Sequence, residues 1–223
     1  SYSISSISIP FNRSATYRVR VALLLKGIEF EEIEYDLLQG HQFTADFLDL
    51  NPNAAVPALE VGGRVLTQSF AILDYLDTLP GGPRLIPENP LDRAEALALA
   101  MGTIADAHPL IVPRIRLYLA EEMGADETQV KAWARHWLTE GQKAYEARLE
   151  RQKPAPYTFG DTPGLADIAI ASHVVAGTAF EVTTDGFPNL KALTDRLLAL
   201  PEFAEAHPFR RREIVLGRGH SGS

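Results

Sequence analysis

Hydrophobic and polar positions divide the chain into two stretches of different character. Up to about residue 80, short apolar runs interleave with helical ones. Residues 2–9 read as a strand and 17–25 as an apolar helix stopped at Lys26-Gly27. Residues 30–35, β-branched and aromatic, read as a second strand, and 43–50 as a short helix ended by Asn51-Pro52. Two four-residue strands, 58–61 and 64–67, flank Gly62-Gly63, a pair suited to a two-residue hairpin turn, and a helix follows over 69–77. After Leu79-Pro80-Gly81-Gly82-Pro83, which disfavours helix and strand alike, the strand signals stop. Residues 90–123 and 128–151 then carry apolar positions at helical spacing, with Pro109 and Pro113 predicting a bend or break in the first. A more apolar helix over 165–177 is expected at the centre of a bundle that 190–200 and 202–207 complete.

The order β-α-β-α-β-β-α is that of a thioredoxin-like domain, in which a right-handed crossover makes the first two strands parallel neighbours. The predicted architecture is therefore α/β plus all-α. A thioredoxin-like domain spans 1–80, a helical domain 88–212, and a small polar ending, 213–223, is expected to be flexible. Within the helical part, Gly164-Leu165-Ala166-Asp167 reads as a capping box. Asp167 reaches back to the chain at Gly164, and Gly in place of Ser or Thr costs a few tenths of a kcal/mol. Trp133, Trp137 and Tyr145 are expected core aromatics, and His136, His173 and His207 lack metal-ligand spacing.

Composition narrows the function. With 223 residues and a net charge of −8, neither part of the chain is basic, which argues against nucleic acid or an anionic membrane as partner. No apolar run reads as long enough for a membrane span, and the first ten residues lack a signal peptide's pattern, so a cytoplasmic protein is expected. The chain contains no cysteine, so any thiol chemistry must use a thiol from elsewhere.

Several segments point to one source of that thiol. Ser14-Ala15-Thr16-Tyr17-Arg18-Val19-Arg20-Val21-Ala22-Leu23 resembles the S-x-x-[WY]-R-V-R-I-A-L segment of zeta-class glutathione transferases, which include maleylacetoacetate and maleylpyruvate isomerases. The likeness continues through Asn51-Pro52, Val56-Pro57-Ala58-Leu59, Gln68-Ser69-Phe70-Ala71-Ile72 and Asp106-Ala107-His108-Pro109. It implies glutathione as cofactor, a cis Val56–Pro57 bond whose main chain pairs with the tripeptide, and Gln68 and Ser69 at a helix start for its γ-glutamyl carboxylate. Gln42 and His108 join the implied glutathione-binding set. The thiolate falls to Ser14 or to Thr16, depending on whether the segment is aligned on Arg13-Ser14 or on Arg18. Arg13, His108 and Arg114 are the implied partners of substrate carboxylates.

The resemblance further implies a homodimer and a small-molecule substrate, with the enzyme a cis-trans isomerase of a maleyl-keto acid. A transferase that conjugates or dehalogenates a small electrophile is the alternative, favoured by apolar Ile111 and Val112. Dehalogenation draws on a cysteine where this chain has Ala15, which sets that branch lower. A non-catalytic binding module with the same fold is the third reading.

Overall fold

A computed structural model describes residues 4–10, 14–37, 39–153 and 155–208. Arg13 and the 213–223 ending lie outside them. The chain forms two compact units, one from the described residues of 1–81 and 199–223, the other from 82–198.

In the first unit, β1 (Ile4–Pro10), α1 (Ser14–Leu25), β2 (Glu32–Tyr35), α2 (Ala45–Leu50), β3 (Ala58–Val61), β4 (Arg64–Thr67) and α3 (Ser69–Thr78) follow in the predicted order, with a 3-10 turn, His41–Phe43, before α2. The sheet order is β2-β1-β3-β4. β1 and β2 are parallel, with Ile7 opposite Glu32, and β3 pairs antiparallel with both β1 and β4. Gly62 and Gly63 have φ of 56° and 73°, the left-handed pair a two-residue hairpin of this kind demands, and Val61 faces Arg64 across the turn.

Helix α1 starts three residues before its apolar periodicity does, and it is buried on every side from Ser14 to Leu23. Its two arginines survive burial because each has a partner. Arg20 holds Glu32 of β2 through two bonds, Nε to Oε1 at 2.8 Å and Nη2 to Oε2 at 3.0 Å, and Arg18 reaches α3. The final helix, α10 (Pro201–Ala206), departs from expectation. Rather than closing the bundle it packs on α1, where the Tyr17 hydroxyl donates to the carbonyl of Phe203 at 3.3 Å.

The second unit contains α4 (Pro90–Met101), a π-helical turn (Gly102–Ala107), α5 (His108–Ile111), α6 (Pro113–Glu121), α7 (Glu127–Leu149), α8 (Leu165–Thr178) and α9 (Pro188–Leu198). The predicted break falls at Val112, whose extended ψ of 156° is what a residue before proline prefers. By length and a mean hydropathy of 1.4, Pro90–Glu121 passes as a membrane span, against the sequence expectation. In the fold it is a broken helix that packs on α8 and α7 and buries Leu99, Ala100, Ala107 and Ile111. Helix α7 begins at a reciprocal capping box: Gln129 N–H donates to Asp126 Oδ1 at 2.8 Å, and Asp126 N–H to Gln129 Oε1 at 2.9 Å.

Apolar α8 sits at the centre, as its composition predicts. Tyr145 is a core aromatic whose hydroxyl donates to the Leu99 carbonyl at 3.1 Å and meets the Thr103 hydroxyl. Trp133 and Trp137 are only partly buried, stacked edge to face at 5.7 Å. Gly141 lies against buried His173, whose Nε2 is 2.9 Å from the Leu138 carbonyl. A β-carbon at 141 would fall 2.5 Å from His173 Cε1. Gly141→Ala is therefore expected to lower stability by about 1–3 kcal/mol in urea unfolding, despite the better helix propensity of alanine. An unchanged midpoint would show that the ring moves aside freely.

Candidate functional site

Most of the residues singled out from the sequence lie in the first unit, on α1, α3 and the loop ahead of β3. Ser14 is the first residue of α1 and Thr16 the third, 9% and 2% exposed. The Thr16 hydroxyl is buried with no hydrogen-bond partner among the described residues. Both residues lie in the first turn of α1, Ser14 at its first position, where main-chain N–H groups lack intrahelical acceptors and the dipole favours an anion.

The loop 51–57 is shaped by Asn51, 3% exposed, whose Nδ2 donates to the Ala55 carbonyl at 2.5 Å and whose Oδ1 accepts from Asn53 N–H at 3.1 Å. Ala54 adopts φ of 49°, and the Val56–Pro57 bond is cis, as the family resemblance implies. Val56 is half-buried, and buried Pro57 leads directly into β3. The sequence reading quoted Asn51 as part of a motif without a task; its side chain is what folds the loop that presents Val56.

Gln68 is the exposed N-cap of α3 and holds φ of 68° with ψ of 113°, a region few non-glycine residues occupy. Ser69 is the first helical residue, one place later than a cap, and is 5% exposed. No side chain caps α3, so its first N–H groups are left for another acceptor. Arg18 of α1, 1% exposed, donates from Nε to Ser69 Oγ at 3.1 Å. Sequence reasoning passed over Arg18, although a basic residue within an apolar helical run was its visible signal. Gln42 sits in the 3-10 turn with its Oε1 buried and unpartnered among the described residues.

Relief of backbone strain at Gln68 can be measured separately from any loss of binding. Gln68→Gly is expected to raise unfolding stability by about 0.5–1 kcal/mol while weakening binding of a thiol tripeptide severalfold. A variant that is both more stable and equally tight would remove Gln68 from the site.

His108 and Arg114 belong to the second unit. His108 opens α5 and is half-buried; Arg114, the second residue of α6, is exposed. The break at Val112 separates them, so they share no continuous helix face. Their neighbour Arg116 is the more enclosed cation. It donates from Nε to the Ile111 carbonyl at 3.1 Å and lies 5.3 Å from the Phe180 ring centre, and burial pushes its pKa down. Ile111 is packed with Ala134 and Leu138 in a buried cluster, which accounts for its apolar character.

Asp167 takes the structural part expected of it and more. Oδ2 accepts from Gly164 N–H and from the Thr158 hydroxyl, both at 2.9 Å, and Oδ1 from Thr158 N–H at 3.0 Å. Gly164 is not a poor substitute for serine, because a β-carbon there would stand 2.6 Å from the Leu85 carbonyl oxygen. A cavity of about 600 Å³ along α7, lined by Lys131, Arg135 and His136 among others, contains none of the candidate residues. No cluster of metal-ligating side chains occurs among the described residues.

Comparison with known proteins places these features in a wider set. The glutathione S-transferase N-terminal domain family matches residues 11–78, and the glutathione S-transferase C-terminal domain family matches 99–201. Maleylacetoacetate isomerase from Pseudomonas aeruginosa is 36% identical over 201 residues, 89% of this chain and 93% of that protein. The crystal structure of maleylacetoacetate isomerase from Methylobacterium extorquens AM1 with bound malonate and glutathione superposes with a TM-score of 0.87 at 40% identity, covering 91% of this chain and 97% of that one. A holo structure of maleyl pyruvate isomerase, a bacterial zeta-class transferase, gives the same TM-score at 35% identity over 91% and 96% of the two chains.

Proposed function

The chain belongs to the zeta class of the glutathione S-transferase family, and from that premise we propose that it is a glutathione-dependent cis-trans isomerase of a maleyl-keto acid of the maleylacetoacetate or maleylpyruvate type. What carries this reading is the extent of the likeness, 36% and 40% identity to isomerases over about nine tenths of the chain. Malonate, a dicarboxylate, bound beside glutathione in one neighbour supports a substrate of that charge.

The donor set suits glutathione. Its thiol needs a hydroxyl at a helix terminus, its peptide a strand-like main chain, and its carboxylate uncapped N–H groups. Ser14, Val56 and the start of α3 offer these in turn, and the buried Gln42 Oε1, without a partner among the described residues, is left to accept from the tripeptide. When bound, glutathione supplies the thiolate that adds reversibly to the substrate double bond and so frees it to rotate. Ser14 donates a hydrogen bond from its hydroxyl to the sulfur and, with the α1 terminus, keeps the thiol ionised at neutral pH. Ser69 and the free N–H groups of α3 hold the γ-glutamyl carboxylate, with Gln68 beside them. Arg13, His108 and Arg114 orient the carboxylates of the substrate and offset the charge that develops on it. The thioredoxin-like unit thus serves glutathione, and the helical unit, 82–198, selects the second substrate.

The conjugating alternative drew on apolar Ile111 and Val112, and the packing of Ile111 removes half of that argument. Incubation with maleylpyruvate or maleylacetoacetate and catalytic glutathione is expected to yield the trans isomer with total free thiol constant. Thiol consumed in step with substrate would establish conjugation instead, and no acceleration over glutathione alone would overturn both.

The same reading makes the protein a cytoplasmic homodimer. The lack of cysteine is in keeping with a reducing compartment, where glutathione is available as the thiol. Exposed Leu117, Tyr118 and Met123 offer apolar surface for a second copy.

A further inference from the structure

Arg18 and Ser69 are 51 positions apart in sequence, and the bond between them crosses from α1 to α3, which pack against each other. Arg18 follows Ser14 by four residues, one turn along the same face of α1. A single buried side chain thus links the helix whose N-terminus serves the thiol to the helix whose N-terminus serves the carboxylate.

We propose that Arg18 is a positioning residue for the γ-glutamyl end of glutathione, acting through Ser69; this rests on the glutathione-site reading given above. A serine hydroxyl has one proton and two acceptor lone pairs. Arginine has no acceptor, so in the Arg18–Ser69 bond the hydroxyl oxygen must accept. Its proton is then free for another group, and a carboxylate at the start of α3 is the acceptor it meets. Arg18 in this way sets the hydroxyl as a donor toward the ligand before the ligand arrives. Lysine keeps the charge but has no N–H at the Nε position and no planar fork to fix its direction.

Calorimetric titration tests this with two ligands: glutathione, and an analogue with γ-aminobutyrate in place of the γ-glutamyl residue, which lacks only that carboxylate. Arg18→Lys and Ser69→Ala are each expected to weaken glutathione binding about tenfold and analogue binding less than about twofold. The double variant should lose about tenfold rather than a hundredfold, because the two side chains act as one unit. Ser69→Thr, which keeps the hydroxyl, should restore most of the affinity.

Equal losses for both ligands would reduce Arg18 to a structural role and overturn the proposal, as would additive losses in the double variant. Should Arg18→Lys not fold, the unsubstituted protein still decides: the Arg18 Nε–H resonance must shift on adding glutathione and stay put on adding the analogue. Failure of the unsubstituted protein to bind glutathione at all would overturn the functional reading along with this one. Tight binding combined with indifference to Arg18→Lys would overturn this one alone.

Discussion

Ser14→Ala should reduce isomerisation kcat/KM by about 10²–10³-fold, the usual consequence of removing a donor aimed at developing charge. The cause is legible in the titration of the bound thiol. With Ser14 present the thiol of bound glutathione should ionise at about pH 6.5, and without it the value should return toward the free thiol's ~8.5, followed by thiolate absorbance against pH. Thr16→Val separates the two candidate hydroxyls. Thr16 is 2% exposed and its buried hydroxyl is unpartnered among the described residues, so replacing it with a methyl group of the same shape should cost activity about threefold or less and leave stability equal or higher. If Thr16→Val is instead the variant that loses activity and raises the thiol pKa, the contact belongs to Thr16 and the alignment on Arg18 is the right one.

Asp167→Ala should be the most damaging substitution for folding, about 3–5 kcal/mol in urea or guanidinium unfolding and roughly 10 °C in Tm. It strands the main-chain N–H groups of Thr158 and Gly164 and the Thr158 hydroxyl around a side chain that is 1% exposed. Asp167→Asn keeps the shape and an acceptor and should cost less. Burial pushes the Asp167 carboxyl above the ordinary aspartate value, and the three donors from Gly164 and Thr158 only partly oppose that. The folded state therefore holds this proton to higher pH than the unfolded chain does. Its contribution to stability is complete below the unfolded pKa and declines as pH rises through the folded one. Asp167→Asn should flatten that decline. A slope of the same sign and size in the Asn variant would assign the pH dependence to other groups.

Where a local rule decides the structure, the sequence carried it. Gly62-Gly63 specified the hairpin between β3 and β4 to the residue, and of the two prolines expected to interrupt the helix Pro113 breaks it at Val112 while Pro109 lies within α5, its neighbour His108 still helical. The apolar run over 17–25 left out the first three residues of α1, because Ser14 and Thr16 are polar although buried, and hydrophobic patterning does not mark them. Gly164 was read as a weak cap because nothing in its own segment announces the Leu85 carbonyl that excludes a β-carbon. The candidate glutathione-binding positions were visible as motifs, whereas Arg18 was not, since its task exists only once α1 and α3 are packed.

By itself, then, the sequence determined the order of elements, the parallel pairing of the first two strands, the supply of the thiol from outside the chain, and the family. The first three follow from residue type, periodicity and the missing cysteine, and the family from the resemblance of short motifs such as residues 14–23, all of which are properties of single positions or short windows. Only the tertiary structure decided that Asn51 folds the loop bearing Val56, that Arg18 holds Ser69, that α10 returns to the first unit, that Gly141 lies against the His173 ring, and that the Leu85 carbonyl excludes a β-carbon at Gly164. Each of these depends on atoms brought within a few ångströms by folding, so their geometry is set by packing between segments rather than by the preferences of any one of them.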